Sequence, residues 1–224
     1  MTSQWTIDDV HAALSLPDFD GFGAQRLMMP VGRPVGRIGL CGGAVAPGLG
    51  GVLLLLYCAG EALHLVLTKR PDYDGVHGGQ VSFPGGRHEP PETLMATALR
   101  ETQEELGVDP ADVELMGEIT PLFVVPSNFE VHPFVGRFIG NGRPRFVPDV
   151  REVAAVLEVP LRLLMDPATR TLEDVEIRGG LRLSVPCFRV GDYRVWGATA
   201  MILSEFLERL RYVRYMRERF GQTF

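Results

Sequence analysis

Two stretches decide how this sequence is interpreted: Gly85-Gly86-Arg87-His88-Glu89-Pro90-Pro91-Glu92 and, further along, Arg100-Glu101-Thr102-Gln103-Glu104-Glu105-Leu106-Gly107-Val108. Pro91 suits the first turn of a helix, and Gly107 suits its end, where the backbone often turns left-handed. We therefore predict a helix over residues 92–106. The paired glycines before it allow the backbone to come close to a ligand bound at that helix.

Three carboxylates of the predicted helix, Glu101, Glu104 and Glu105, lie at positions i, i+3 and i+4 and therefore share one face. Their mutual repulsion destabilises a helix unless a cation lies among them, and pairing of Arg100 with Glu92 does not neutralise the whole cluster. Mg²⁺ prefers carboxylate oxygens and typically binds one or two carboxylates together with substrate phosphates. The triplet predicts either a metal-binding face or a solvated acidic face.

The complete spacing resembles the Nudix box, the signature of the Nudix hydrolases. Gly86 is followed after five residues by Glu92, after seven more by Arg100-Glu101, and then by Glu104-Glu105 and Gly107. Thr102 stands where the family usually has an aliphatic residue. The resemblance implies an α/β/α sandwich with a mixed sheet, and Mg²⁺- or Mn²⁺-dependent hydrolysis of a diphosphate linked to another group.

The same resemblance implies roles for individual side chains. Glu101 and Glu105 are expected to bind the metal directly, and Glu104 is expected to be a further ligand or the general base. Arg100 is expected to orient this cluster, with Glu92 as its salt-bridge partner. The implied catalytic residues are thus Glu92, Arg100, Glu104 and Glu105.

Residues upstream of the box resemble the extra motif of the coenzyme A pyrophosphatase subfamily. The matching positions are Leu67, Thr68, Arg70, Gly79, Phe83, Pro84, Gly85 and Gly86. Two positions depart from that motif, because Pro71 replaces a small residue and Gly75 replaces an arginine. If that arginine binds a phosphate of coenzyme A, Arg70 or His77 takes its place here.

The resemblance also supplies candidates for substrate binding: Arg70, His77, Phe83, Gly85 and Gly86. Glu152 is a candidate additional carboxylate, because Nudix enzymes often draw a catalytic or metal-binding carboxylate from such a loop. A solvated loop residue is the alternative interpretation of Glu152. Segments 152–161 and 195–200 resemble later parts of the same subfamily, so the likeness extends over residues 50–210.

Three hypotheses for function follow. The leading one is hydrolysis of the diphosphate bond in coenzyme A or an acyl-CoA, which gives 3′-phosphoadenylate and (acyl-)phosphopantetheine. The second is a Nudix hydrolase of another nucleoside diphosphate derivative, such as ADP-ribose, NADH or a dinucleotide polyphosphate, and the missing arginine at Gly75 favours it. The third is a non-catalytic Nudix-fold binding module, which has no need of three clustered glutamates.

Length and composition limit the remaining choices. The 224 residues favour one domain with an addition, divided here into an accessory segment (1–37) and a Nudix hydrolase domain (38–224). The net charge of −6 gives no general attraction for nucleic acid. Residues 38–60 are uncharged, but their proline and glycines favour turns and a strand over a membrane helix. We predict a cytoplasmic protein with reduced cysteines, and segment 1–37 as a lid or the arm of a homodimer.

Local patterns predict the other elements. Thr6 and Asp9 predict a capped helix that ends at Leu16, and the Gly- and Pro-rich residues 17–36 predict an extended crossing. Apolar runs predict strands at 52–57, 63–67, 80–83, 113–119, 121–125, 131–139, 153–159, 172–177 and 181–190, and an amphipathic helix at 198–220 with a solvated arginine face. This order indicates the α/β (α+β) class.

Overall fold

The computed structural model describes residues 4–30, 46–72, 79–177 and 181–221. The helices in these ranges are α1 (Ile7–Leu14), α2 (Gly21–Arg26), α3 (Leu94–Leu106), α4 (Leu161–Met165) and α5 (Gly197–Phe220). The strands are β1 (Gly48–Ala59), β2 (Ala62–Lys69), β3 (Val81–Ser82), β4 (Gly85–Arg87), β5 (Val113–Glu118), β6 (Leu122–Val124), β7 (Phe129–Phe138), β8 (Ala155–Pro160), β9 (Arg170–Ile177), β10 (Leu181–Val190) and β11 (Tyr193–Trp196). Every predicted strand is present, whereas α2, α4, β4 and β11 are not predicted by the sequence patterns.

The larger sheet is mixed and has the strand order β3-β2-β1-β7-β5, with β4 paired to β1, β6 to β7 and β8 to β2. β1 runs parallel to β7 and antiparallel to β2. Since alternate residues of a strand point to opposite faces, Leu53 and Leu55 belong to the same core as Leu106 of α3, and Leu54 belongs to the same core as Phe206 of α5. Helices therefore cover both faces, and the predicted α/β/α sandwich is confirmed.

The ends of α3 set the orientation of its acidic face. Thr93 is the N-cap, because its Oγ1 accepts a hydrogen bond from the backbone N–H of Ala96 at 3.1 Å. The predicted start at residue 92 is therefore too early, and Pro91 lies before the helix. At the other end Gly107 has a φ of 70° and caps the helix as predicted.

The N-terminal segment contains two helices where the sequence predicts one. α1 has the predicted capping box, in which the Thr6 N–H donates to Asp9 Oδ2 at 2.9 Å and the Asp9 N–H donates to Thr6 Oγ1 at 3.2 Å. This helix ends at Leu14, before the predicted end. Within the predicted extended crossing, α2 forms instead at Gly21–Arg26, because Asp20 Oδ1 accepts the N–H of Gly23 at 2.8 Å and caps it. Residues 31–36 of that prediction lie outside the described residues.

The N-terminal helices pack on α5 through arginines. Arg217 of α5 forms an ion pair with Asp9 of α1. The guanidinium of Arg214 lies over the ring of Trp5, which is 7% exposed. The prediction of a solvated arginine face is therefore wrong for Arg214 and Arg217, because α1 covers this side of α5. It is also wrong for Arg209, which is 9% exposed and pairs with Glu205.

A smaller antiparallel sheet, in the order β11-β10-β9, precedes α5 in the chain. Its buried side chains Phe188 and Val195 belong to the same core as Phe206 of α5. Within the described ranges, no helix combines the length and the apolar character needed to cross a membrane.

Candidate active site

The three carboxylates on the acidic face of α3 are buried to different extents. The side chain of Glu105 is 3% exposed, that of Glu101 is 15% exposed and that of Glu104 is 56% exposed. Helical spacing brings the three carboxylates to one side of α3, as predicted. Glu105 therefore points into the protein, while Glu104 faces solvent.

Arg100 is the cation within this acidic face. Its Nη1 donates to Glu101 Oε1 at 3.1 Å and to Glu104 Oε2 at 2.9 Å. Its Nε and Nη2 donate to the two carboxylate oxygens of Glu92 at 3.1 and 2.9 Å. Such a two-pronged, charge-assisted pair is strong, and it lowers the pKa of Glu92 to about 2. The predicted Arg100–Glu92 salt bridge is therefore present, and Arg100 links Glu92 to the acidic face.

Gly86 allows β4 to lie directly against Glu101. A Cβ atom at position 86 would come within 2.3 Å of the carboxylate carbon of Glu101 and 2.4 Å of both its oxygens. Gly86 pairs with Gly51 of β1, where a Cβ atom would lie 2.2 Å from the carbonyl oxygen of Leu94. Glycine at these two positions therefore lets β1, β4 and α3 approach one another closely.

A cavity of about 380 Å³ opens against the acidic face. Its lining residues are Arg70, Pro71, Gly85, Gly86, Arg87, Glu101, Glu105, Arg151 and Glu152. A larger cavity, of about 550 Å³, lies between the N-terminal segment and α5 and contains no residue of α3. We assign the chemistry to the smaller cavity, because acidic and basic side chains meet there around one polar space.

The predicted substrate-binding residues do not all reach this cavity. Arg70, Gly85 and Gly86 line it. Phe83 does not, because it is 2% exposed and packs in the hydrophobic core next to β3. The prediction that Phe83 contacts substrate is therefore corrected, and its role is to anchor the strand that leads to the glycines. His77 lies outside the described residues.

Three further side chains line the cavity from neighbouring loops and strands. Glu152 is exposed and lies where the sequence predicts an additional carboxylate. Arg151, which the sequence reasoning missed, is held by Asp149 at 2.5 Å. Arg87, also missed, lies 5.7 Å from the ring centroid of Phe129 and forms no salt bridge with a described residue. The signal for Arg87 is its place directly after the paired glycines.

Burial controls the electrostatics of Glu105. Loss of hydration raises its pKa to about 8, against the lowering effect of Arg70, whose Nη2 lies 3.9 Å from Glu105 Oε1. Burial also raises the pKa of Glu101. The Oε2 atom of Glu105 is buried and has no hydrogen-bond partner among the described residues. A buried carboxyl oxygen without a partner is costly, so this atom is available for a proton or a cation.

The sequence profile of the NUDIX domain matches residues 50–175, which include every residue that lines the cavity. The chain belongs to the Nudix family. Proteins named uncharacterized Nudix hydrolase NudL from Yersinia enterocolitica and Yersinia pestis are 34% and 32% identical to it over 160 residues. The matches cover 71% of this chain and 80% and 78% of those proteins.

A solved structure supports the Nudix fold independently. The MutT/nudix family protein from Enterococcus faecalis superposes with a TM-score of 0.51 at 17% sequence identity. The superposition covers 76% of this chain and 64% of that protein. At this identity the likeness concerns the fold alone.

Nudix hydrolases generally use divalent metal ions, and the donor set here fits one. Glu105 has the unpartnered buried oxygen, and the space that a Cβ atom would fill at Gly86 is taken by the carboxylate of Glu101. No three His, Cys, Asp or Glu side chains in the described ranges are already arranged to hold a metal ion. Arg100 bonds to Oε1 of Glu101 and to Oε2 of Glu104, and so occupies one oxygen of each carboxylate.

The raised pKa of Glu105 predicts a pH-dependent stability of the metal-free protein. This carboxyl ionises near pH 4.5 in the unfolded chain and near pH 8 in the folded one. Its contribution to stability is therefore complete below the lower value and is lost as the pH rises through the higher one. In EDTA, the melting temperature of Glu105→Gln should match that of the wild type near pH 4.5. At about pH 8.5 it should be higher by roughly 5 °C or more.

Thermal melts between these pH values, monitored by circular dichroism, measure this difference. Glu118→Gln is the control, because Glu118 is exposed on β5 and outside the cavity. Its melting temperature should follow that of the wild type across the range. A difference between Glu105→Gln and the wild type that does not change with pH would contradict the raised pKa.

Proposed function

We propose that this Nudix protein hydrolyses the diphosphate bond of coenzyme A or an acyl-CoA with the help of Mg²⁺ or Mn²⁺. The observation that carries the proposal is the path of the segment that resembles the coenzyme A pyrophosphatase motif. Its described parts form the end of β2, β3 and β4. They bring Arg70, Gly85 and Gly86 to the cavity that contains Glu101 and Glu105.

In this proposal Glu101 and Glu105 hold the cation, and Glu104 is the candidate third ligand. When bound, the cation offsets the charge of the diphosphate and makes water more acidic. Arg100, fixed by Glu92, orients Glu101 and Glu104 through the hydrogen bonds of its Nη1. Glu104 is a further ligand or the general base that takes a proton from the attacking water, and its exposure to solvent suits the second role.

Arg87 takes the place of the arginine that the subfamily motif has at Gly75. Its guanidinium is supported by the face of Phe129 and forms no salt bridge with a described residue, unlike those of Arg70 and Arg151. Arginine binds phosphate oxygens with two parallel hydrogen bonds. Arg87 is therefore the cation of the cavity that is most available for the diphosphate.

The variant Arg87→Ala should raise KM for coenzyme A about tenfold, the effect of losing a charge-assisted hydrogen bond, and should change kcat less. Steady-state kinetics at saturating Mn²⁺ measure both constants. Arg145→Ala is the matched control, since Arg145 is exposed and does not line the cavity. An unchanged KM in Arg87→Ala would remove this residue from substrate binding.

Product chromatography tests the proposed function. The protein is incubated with coenzyme A, dephospho-CoA, NADH, ADP-ribose and diadenosine polyphosphates, each with Mg²⁺, with Mn²⁺ and with EDTA. The proposal expects metal-dependent release of 3′-phosphoadenylate from coenzyme A at the highest kcat/KM of the panel. Preference for another member would favour the second hypothesis, a Nudix hydrolase of a different nucleoside diphosphate derivative. Binding without turnover across the panel would favour the binding-module hypothesis.

Two predictions from the sequence accompany this proposal. The protein is expected in the cytoplasm, and a homodimer arm is one of the two roles, besides a lid, that the sequence suggests for segment 1–37. Sedimentation equilibrium measures the oligomeric state directly. Residues 4–30 of the accessory segment pack on α5 of the same chain. Any dimer arm formed by this segment would therefore use the outer surface of α1 and α2.

A further inference from the structure

A buried threonine contacts the Glu92 end of the Arg100–Glu92 salt bridge. Thr97 is on the second turn of α3 and is 0% exposed. Its hydroxyl oxygen lies 2.8 Å from Glu92 Oε1, 3.2 Å from His88 Nδ1 and 3.2 Å from the carbonyl oxygen of Thr93. Thr97 therefore contacts both the loop that carries Glu92 and the turn of helix before it.

The number of hydrogens determines how these contacts work together. A threonine hydroxyl has one hydrogen to donate, and an ionised carboxylate only accepts. The shortest contact is with Glu92, so the Thr97 hydroxyl donates there, and its lone pairs face His88 Nδ1. His88 therefore donates through Nδ1–H, which gives the directed series His88 to Thr97 to Glu92.

Glu92 connects Thr97 to Arg100, the arginine that contacts the acidic face. The Oε1 atom that accepts from Thr97 also accepts from Arg100 Nη2 at 2.9 Å, and its partner Oε2 accepts from Arg100 Nε at 3.1 Å. The backbone N–H of Glu89 donates to the same Oε1 at 3.1 Å. Oε1 of Glu92 thus accepts three hydrogen bonds, and Oε2 accepts one from Arg100 Nε. These bonds fix the orientation of the carboxylate, which in turn sets the position of the Arg100 guanidinium.

We propose that Thr97, supported by His88, is a positioning residue that fixes the Glu92 carboxylate and, through it, the Arg100 guanidinium against Glu101 and Glu104. This inference rests on the proposed hydrolase function for its kinetic consequences. The alternative is that the hydroxyl only bonds back to the Thr93 carbonyl, as buried threonines in helices commonly do. The two interpretations differ in one consequence: only the positioning role predicts that Arg100 moves when the Thr97 hydroxyl is removed.

A pair of substitutions at position 97 separates hydrogen bonding from packing. Thr97→Val keeps the shape and loses the hydroxyl, whereas Thr97→Ser keeps the hydroxyl and loses a methyl group. Residues that orient active-site groups typically contribute about 10- to 100-fold. We therefore expect kcat of Thr97→Val to fall at least about tenfold with KM within about twofold of the wild type, and kcat of Thr97→Ser to remain within about twofold.

A second measurement needs no substrate. The Nε–H group of Arg100 gives a proton–nitrogen NMR signal, which is assigned by its loss in Arg100→Lys. Because this N–H donates to Glu92, the signal should be sharp and shifted from that of solvent-exposed arginines in the wild type and in Thr97→Ser. In Thr97→Val it should broaden or move toward the exposed arginines.

The outcomes separate this inference from the proposed function. Loss of the Arg100 signal in Thr97→Val would support the positioning role even if the wild type does not hydrolyse coenzyme A. A wild-type Arg100 signal in Thr97→Val would overturn it, and so would equal losses of kcat in Thr97→Val and Thr97→Ser. His88→Leu should lower kcat about two- to threefold in the wild type and have no further effect in Thr97→Val. Independent losses would remove His88 from the series.

Discussion

Glu105→Gln should lower kcat/KM by about 10³-fold while the protein remains folded. At nearly constant shape, the substitution replaces a carboxyl group that a bound cation would keep ionised. One oxygen of this group is buried and has no hydrogen-bond partner among the described residues. An amide offers a cation a weaker ligand than a carboxylate. Steady-state kinetics with Mn²⁺ measure the loss of activity, and Mn²⁺ binding followed by electron paramagnetic resonance measures the loss of affinity.

Glu89→Gln is the control for this prediction. Glu89 is an exposed carboxylate between the glycines and Glu92, and its side chain does not line the cavity. Its removal should leave both turnover and Mn²⁺ affinity within about twofold of the wild type. Activity of Glu105→Gln close to that of the wild type would show that the cation is held elsewhere.

The sequence alone predicts that the three glutamates of α3 share one face, because helix geometry depends only on residue spacing. The spacing of Glu101, Glu104 and Glu105 places them on one side of any helix that contains them. Their unequal depth was not predictable, since it depends on how α3 packs against β1 and β4. The 3% exposure of Glu105 and the 56% exposure of Glu104 follow from that packing.

Strand pairing explains the errors at Phe83 and Arg87. Which of two neighbouring side chains faces the core is decided by the register of β3 on β2 and of β4 on β1. These pairings join distant parts of the chain, and no local pattern in such short strands reveals them. Phe83 was therefore placed at the substrate and Arg87 was overlooked.

The same limit applies to the arginines of α5. Arg217 and Asp9 are 208 residues apart in sequence, yet they form an ion pair in the fold. A helical pattern alone shows a row of charges and predicts a solvated face. Only the position of α1 shows that Arg214 and Arg217 attach the N-terminal segment to the Nudix core.

Gly86→Ala should lower kcat/KM by about 100-fold with little loss of stability, because the conflict is with one flexible side chain. The backbone at Gly86 does not have a left-handed φ, so alanine is tolerated there without strain. The three atoms nearest to the new Cβ atom all belong to the carboxylate of Glu101, at 2.3 to 2.4 Å. Glu101 must therefore turn away from the cavity, and the acidic face loses the second of its two cavity-lining carboxylates.

A double-mutant cycle shows whether Gly86 acts through Glu101. In a Glu101→Gln background the geometry of residue 101 no longer contributes, so adding Gly86→Ala should cost less than about threefold more. Gly60→Ala is the control for a general effect of replacing glycine, because Gly60 lies in the β1–β2 turn with open space around it. It should lower the melting temperature slightly, since its φ is 59°, and leave kcat/KM unchanged. Fully additive losses in the double mutant would mean that Gly86 affects activity through the backbone or through direct contact with substrate. The close approach of β4 to Glu101 would then not explain the loss of activity.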